Sequence, residues 1–415
     1  MVLAEIRDGT AVTRPALIQR TGLGRTIITQ RVDEALATGL LVEGEQAPST
    51  GGRPSRTLRI ASGRGVVLAA VFGATQLHVA VADLDGTVLD DRRITWGIDA
   101  GPTESLGALF KTSDALLTAE ARDRLWGVCV GVPGPVDFAR GVSVKPPIMA
   151  GWDGFALRDR VEERYGVPAW VDNDVNLMAL GAWSSTRAMA GDDILLVKAG
   201  TGIGMGLISH GRLHRGARGS AGDFGHTIVA EESRYRCRCG KFGCLEAFAG
   251  GWALIRDART AALAGRSGFL AQLLESGEGS ITIADLIRGC EDGDAVCVEL
   301  VARAGTLVGA QLATVVSVFN PSTVYLAGSL PRVGALFRDA VTAEVSRRSL
   351  PLATDELTIA EVDLNGYEGV IGGARLVVDE LFDPTMLGRW LSHGNPRGLG
   401  AAKRRSRPTL VSAPS

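Results

Sequence analysis

Gly222-Asp223-Phe224-Gly225-His226 and, after ten intervening residues, Cys237-Arg238-Cys239-Gly240-Lys241-Phe242-Gly243-Cys244-Leu245-Glu246 place one imidazole and three thiols in a short stretch of chain. That donor set satisfies the four-coordinate preference of zinc, and glycines stand where the chain must curl around an ion. The spacing departs from the common finger form, because a single residue separates the first two cysteines. Buried free cysteines are the plainer alternative, although clustered thiols in a reducing protein would be oxidation liabilities. With His226, Cys237, Cys239 and Cys244 all supplied by the protein, the expected zinc is structural, and Arg238 and Lys241 offset its formal -1 charge. Asp223 and Glu246 flank the cluster. Metal closure would bring both carboxylates to one hydroxyl-rich ligand, with the second ring nitrogen of His226 beside them; either acid also reads as a helix cap or as support for the metal ligands.

Outward from this cluster, the chain has 415 residues, Lys+Arg 44 against Asp+Glu 46, and a net charge of -2. The length excludes a single small binding module, and the balance excludes a globally basic nucleic-acid binder, so any DNA contact must be local. Six cysteines are too few for a disulfide scaffold. The most apolar early window, Val66 to Ala74, is about half the length a membrane span needs, and Glu5 and Asp8 stand where a signal peptide would be basic. The expectation is a cytoplasmic protein without a membrane segment.

The first sixty residues carry their own pattern. Val2 to Arg7 reads as the end of a helix. Thr13 caps a second, with Pro15 in its first turn, and Thr21-Gly22 closes it. A third helix from Arg25 to about Thr38 sets Ile28, Val32 and Leu36 on one inner stripe, leaving Arg25, Thr26, Thr29 and Gln30 outside as donors and acceptors suited to base edges in a major groove. Leu40–Glu45 and Arg56–Ile60 read as a hairpin whose loop holds Gly51-Gly52-Arg53-Pro54, placing Arg53 to enter a minor groove. Residues 1 to 64 hold nine arginines against six acids, a local +3. A small packing module is the bland alternative; helix, wing and arginine in tandem favour double-stranded DNA. One such unit neutralises few phosphates, so a dimer on paired half-sites is expected.

Beyond residue 62 the pattern is α/β: strands at 65–72, 77–84 and from 87, then helices near 103–121 and 153–165 alternating with strands near 125–132 and 167–171. A second such block starts near Ile194. Gly200-Thr201-Gly202-Ile203-Gly204 reads either as a phosphate cradle or as a tight hairpin needing positive φ; Lys198 precedes the glycines, against the P-loop order. Asp172-Asn173-Asp174-Val175-Asn176 directly follows a strand, where α/β ligand groups gather, and reads either as a helix cap or as a site in which Asp174 accepts a proton from a hydroxyl that Asn173 orients.

In combination these pieces resemble the ROK family of repressors, open reading frame products and sugar kinases. The resemblance spans residues 2 to about 385 and includes the winged helix, Gly131-Val132-Pro133-Gly134-Pro135, the Asn173–Asn176 box, Gly200–Gly204, Gly222–His226 and Cys237–Glu246. It implies an actin-like (ribonuclease H-like) two-lobed sugar kinase fold behind a winged helix-turn-helix domain. It implies sugar ligands at Asn173, Asp174, Asp223, His226 and Glu246, a catalytic base at Asp174 wherever kinase activity is retained, and a vestigial nucleotide site at Gly200, Thr201, Gly202, Gly204 and Gly328. The usual glutamate is here Asp223, and Ile148 stands in place of the asparagine ahead of Gly151-Trp152. Where family kinases carry Asp-x-Gly-Gly-Thr-Lys, this chain has Val71-Phe72-Gly73-Ala74-Thr75-Gln76, without the acid or the lysine that serve magnesium and phosphate.

The expected divisions are 1–62 for the DNA-binding domain, 63–190 for an N-terminal lobe completed by a helix at about 370–385, 191–369 for the zinc-bearing lobe, and 387–415 for a disordered basic tail. The expected function is a sugar-responsive transcriptional repressor of carbohydrate-utilisation genes, a homodimer or higher oligomer binding operator DNA and a small sugar or sugar phosphate. ATP and magnesium are expected not to be used. A sugar kinase with an added DNA domain, and a regulator controlled by a protein partner, are the alternatives.

Overall fold

The computed structural model describes residues 2–7, 9–10, 12–47, 55–233, 235–276, 280–362 and 364–399. At the N-terminus, helices Val2–Arg7, Arg14–Thr21 and Arg25–Ala37 precede the antiparallel strands Leu41–Gln46 and Arg56–Ile60. The Thr13 side chain accepts the Ala16 amide, and Gly22 in the left-handed region ends the second helix. Ile28 and Val32 are fully buried while Arg25, Thr26 and Gln30 are exposed and Thr29 is half-buried. Arg53 lies outside the described residues.

The body contains two five-stranded sheets of identical connectivity. In the first, Val88–Thr95, Gln76–Asp83 and Val66–Phe72 pair antiparallel, and Leu125–Val132 and Ala169–Asn173 add in parallel. In the second, Arg212–Leu213, Ile203–Ser209 and Ile194–Ala199 repeat the antiparallel part, and Thr323–Ala327 and Thr358–Glu361 the parallel part. Parallel strands need covered faces, which is why Leu125–Val132 is buried throughout. This duplicated arrangement is the actin-like, two-lobed kinase fold.

Two helices join the lobes. Asp174–Ala190 leaves the last strand of the first sheet and packs on Ile203–Ser209 of the second. Glu368–Leu381 returns from the second lobe to cover strands Val66–Phe72 and Leu125–Val132 and to lie along Asp174–Ala190. Backbones touch there: a Cβ at Gly372 would sit 1.8 Å from the Leu177 carbonyl oxygen. Helix Ala295–Phe319 is long and apolar enough to cross a membrane by composition, yet half of its apolar window is buried against the second sheet and helix Ala335–Arg348.

The C-terminal segment corrects an expectation. Residues 387–399 are not a disordered tail: helix Pro384–Trp390 starts on Pro384 at its first turn, and Trp390 is fully buried. Its indole donates to the Leu381 carbonyl at 2.9 Å and meets Trp126 and Phe382 edge-on, at 5.2 and 5.8 Å. Proline opened a new helix rather than ending order, because its missing amide needs no partner at that position. The basic run Lys403–Arg407 lies outside the described residues. Leu3, Ile6, Leu17 and Ile28 share one buried cluster with Leu381, Phe382 and Trp390, so the N-terminal domain is docked on the body.

Candidate functional site

A cavity of about 880 Å³ opens between the lobes. Asn173, Asp174, Asp223, His226 and Glu246 line it, as do Gly200, Thr201, Gly202, Gly204, Gly328, Val71, Ala74, Gln76 and Ile148. The folding logic is local for each. Asn173 caps the helix that begins at Asp174, its Oδ1 accepting the Val175 and Asn176 amides at 2.9 and 3.2 Å. Its amide also donates to the Gly134 carbonyl at 3.0 Å. Asn173 therefore caps the helix while still lining the cavity, and Asp174 is carried into the cavity at the helix N-terminus.

Asp174 is 3% exposed, and its Oδ2 accepts from Lys198 Nζ at 2.5 Å. Lys198, two residues before the glycine loop, belongs to the second sheet, so this pair bridges the lobes. A second buried bridge lies beside it: Arg215 donates to Asp172 Oδ2 at 2.7 Å and stacks 3.7 Å over the Phe138 ring, while Asn176 donates to the other Asp172 oxygen at 2.9 Å. Sequence reasoning missed both bridges as interactions. A lone lysine on a buried strand was the available signal for Lys198, since an unpaired charge there is costly.

Gly200–Gly202 form the tight turn of a hairpin, with Ala199 opposite Ile203, but none of the glycines of 200–204 adopts the positive φ that such a turn was expected to need. They are required by close approach: a Cβ at Gly202 would lie 2.6 Å from Glu246 Oε2, and one at Gly204 would lie 2.9 Å from Val175. Gly328 does take φ +99°, with the Ala199 carbonyl oxygen 2.5 Å from where a Cβ would be. Glu246 is buried, its oxygens accepting the Ile203 amide at 3.0 Å and the Trp252 indole at 3.2 Å. Asp223 is half-exposed, with Oδ1 3.9 Å from His226 Nε2.

The opposite ring nitrogen of His226 points to the thiols. Nδ1 is 3.5 Å from Cys237 Sγ, Cys239 Sγ is 3.6 Å from Cys244 Sγ, and all four donor atoms lie within 4.8 Å of one another. A tetrahedron with metal–sulfur bonds of about 2.3 Å and a metal–nitrogen bond of about 2.0 Å has edges of about 3.8 Å between sulfurs and about 3.5 Å between nitrogen and sulfur. The donor set thus fits a tetrahedral ion. Burial pushes the Cys237 and Cys244 thiols above the ordinary range; the Cys239 thiol adds to the shift at Cys244, while at Cys237 the Cys239 backbone amide opposes it, and a divalent cation would reverse both shifts.

A ROK family model matches residues 67–380. The chain belongs to the ROK family. It is 25% identical over 384 residues to the xylose repressor of Caldicellulosiruptor bescii, covering 92% of this chain and 95% of that protein. A crystal structure of a ROK family transcriptional regulator, a homologue of the E. coli MLC protein, superposes with a TM-score of 0.79 at 24% identity, covering 94% and 97% of the two chains. A ROK family glucokinase from Streptomyces griseus, solved with glucose and AMPPNP, superposes with a TM-score of 0.66 at 29% identity over 75% of this chain and 99% of that one.

The kinase likeness corrects one expectation about this ROK protein. Val71 in place of an acid and Gln76 in place of a lysine predict that ATP and magnesium are not used. A family kinase on the same fold was solved with a nucleotide analogue, and Gly200–Gly204 and Gly328 line the cavity here. Two substitutions on one hairpin leave the rest of the cleft wall intact, so they do not exclude those ligands.

Proposed function

We propose that this ROK protein is a sugar-responsive transcriptional repressor of carbohydrate-utilisation genes. One observation carries the reading. Helix Glu368–Leu381 starts in the cavity, where Glu368, Gly369 and Val370 line the wall, and near its end Asp379 meets Arg7 of the first N-terminal helix at 2.7 Å. A ligand that alters the lobes acts on an element bonded directly to the DNA-binding domain. Arg25, Thr26, Thr29 and Gln30 read the major groove, and Arg53 on the wing enters the minor groove. Two copies of the chain on paired half-sites supply enough phosphate contacts, and a sugar that favours one lobe arrangement changes the spacing of the two domains.

In the cleft, Asn173, Asp174, Asp223, His226 and Glu246 bind sugar hydroxyls. Glu246 has acceptor capacity left after its two donors, and Asp174 must exchange part of its Lys198 contact for the ligand. His226, Cys237, Cys239 and Cys244 would hold a tetrahedral zinc ion, which supplies rigidity and fixes His226 with Nε2 toward Asp223. Similarity to the xylose repressor over 92% of this chain supports the regulator reading.

The test is operator binding by purified protein at fixed salt across a panel of sugars and sugar phosphates. A shift in affinity with one of them is expected; equal affinity throughout overturns the reading. The glucokinase likeness and the retained Asp174 favour one second reading, a sugar kinase with an added DNA domain. Sugar phosphorylation from ATP and magnesium that disappears in Asp174→Asn would establish it.

A further inference from the structure

The geometry points to a divalent-cation site at Glu368 on the first-lobe wall of the cleft, completed by a phosphoryl group on the ligand. This deepens the effector reading above and rests on it. Glu368 is the first residue of the helix that closes the first lobe; it lines the cavity and is 7% exposed. Its Oε2 is buried with no hydrogen-bond partner. A carboxylate oxygen removed from water and given no donor is costly, and a native protein keeps one where something else satisfies it.

Three candidate donors are engaged elsewhere. Arg93 donates to the Asn365 carbonyl at 2.8 Å and lies 4.6 Å over the Tyr367 ring. The Tyr367 hydroxyl donates to Asp91 at 2.9 Å, and Lys198 is held by Asp174. The other cavity acids offer less. Both Glu246 oxygens accept hydrogen bonds, Asp174 is paired with Lys198, Glu361 is paired with Arg338, and Asp223 is half-exposed beside His226.

The ligand class follows from charge and coordination. The cavity lining carries Asp174, Asp223, Glu246, Glu361 and Glu368 against Lys198, Arg238 and Arg332, an excess of acid that disfavours a bare phosphate. Magnesium-type ions, however, keep several waters and take one or two carboxylates together with phosphate oxygens. A single buried carboxylate in a roomy cavity is that kind of anchor. The glycine turns 200–204 and 328, on the second lobe, let backbone come close to a phosphoryl group. The group's source is either a sugar phosphate or a nucleotide. Gly369 abuts Val71, whose Cγ1 lies 3.3 Å from where a Gly369 Cβ would be, so a carboxylate introduced at position 71 would stand next to the same site.

Manganese binding to the full-length protein, read by the loss of the free-ion paramagnetic resonance signal, tests this without DNA and so separates its failure from that of the repressor reading. Titrations are run with manganese alone, with glucose 6-phosphate and with AMPPNP. At least one phosphoryl probe should tighten manganese binding by about tenfold, the responding probe naming the source. Glu368→Gln should abolish the tightening, and adding Val71→Asp to that variant should restore part of it, which a purely structural role for Glu368 would not do. Glu368→Asp, which keeps the charge and retracts it by one methylene, should weaken the tightening and decides the matter if Glu368→Gln does not fold. No tightening by either probe in the wild type, or full tightening in the Glu368 variants, overturns the site.

Discussion

Replacing Arg7 with alanine tests the line from cleft to DNA-binding domain. The Arg7 guanidinium is 2.7 Å from Asp379 Oδ1, with side-chain exposures of 10% and 31%. Two unit charges at that distance attract by about 6 kcal/mol at an effective dielectric of about 20, before desolvation and side-chain ordering are subtracted. Asp379 also accepts Arg375 Nε on both oxygens, at 2.9 and 3.1 Å. Loss of Arg7 therefore leaves no orphaned charge, and the roughly 3–5 kcal/mol penalty for breaking a buried pair does not apply. The net loss is about 1 kcal/mol, the upper end for a partly exposed pair.

If that contact carries the coupling, the ratio of operator affinities with and without effector should shrink by about fivefold in Arg7→Ala, which is 1 kcal/mol expressed as an equilibrium ratio. The assay is fluorescence anisotropy of labelled operator at about 0.15 M salt, a screening length of about 8 Å, so that non-specific attraction is held constant. Arg7→Ala, Asp379→Ala and the double variant complete a cycle whose interaction energy should be about 1 kcal/mol. An interaction energy below about 0.3 kcal/mol, with the affinity ratio unchanged in both single variants, would refute the mechanical route.

Three further expectations are independent of it. Cys239→Ser should lose the bound metal and destabilise the second lobe by several kcal/mol, read by metal analysis and thermal unfolding; wild-type metal content in the variant would contradict the four-ligand set. Trp390→Ala should cost about 3–5 kcal/mol, because it empties a fully buried site and removes the donor to Leu381. An unchanged melting temperature would place Trp390 outside the core. Burial holds the His78 imidazole below its ordinary range despite Asp91 Oδ2 at 2.9 Å, with Arg93 acting in the same direction as burial. The unfolded chain then takes up the proton first, so the stability His78 contributes is present above about pH 6.5 and is lost as pH falls toward the depressed folded value. Melting curves at about pH 7.5 and about pH 5.5 should converge in His78→Gln relative to wild type, and an identical pH slope would exclude the assignment.

Short-range pattern was sufficient for much of this molecule. Thr13 and Gly22 bracket a helix because capping and left-handed turns are properties of adjacent residues. Ile28 and Val32 reveal a buried face because helical periodicity is written into spacing. His226 and the three cysteines announce a ligand set because their chemistry is distinctive. The two-lobed body was legible from the order of such motifs.

What the chain order could not convey is which distant groups meet. Lys198 on Asp174, Arg215 on Asp172, Arg7 on Asp379 and the unpartnered oxygen of Glu368 arise only when the two lobes and the N-terminal domain are brought together around the crossing helices. The tail misreading has the same origin: composition around Pro384 signals a break, while burial of Trp390 depends on Trp126, more than 250 residues away in the chain. Local propensities are decided within a few bonds; ion pairs across a cleft and the docking of a terminal helix are decided by how whole lobes pack.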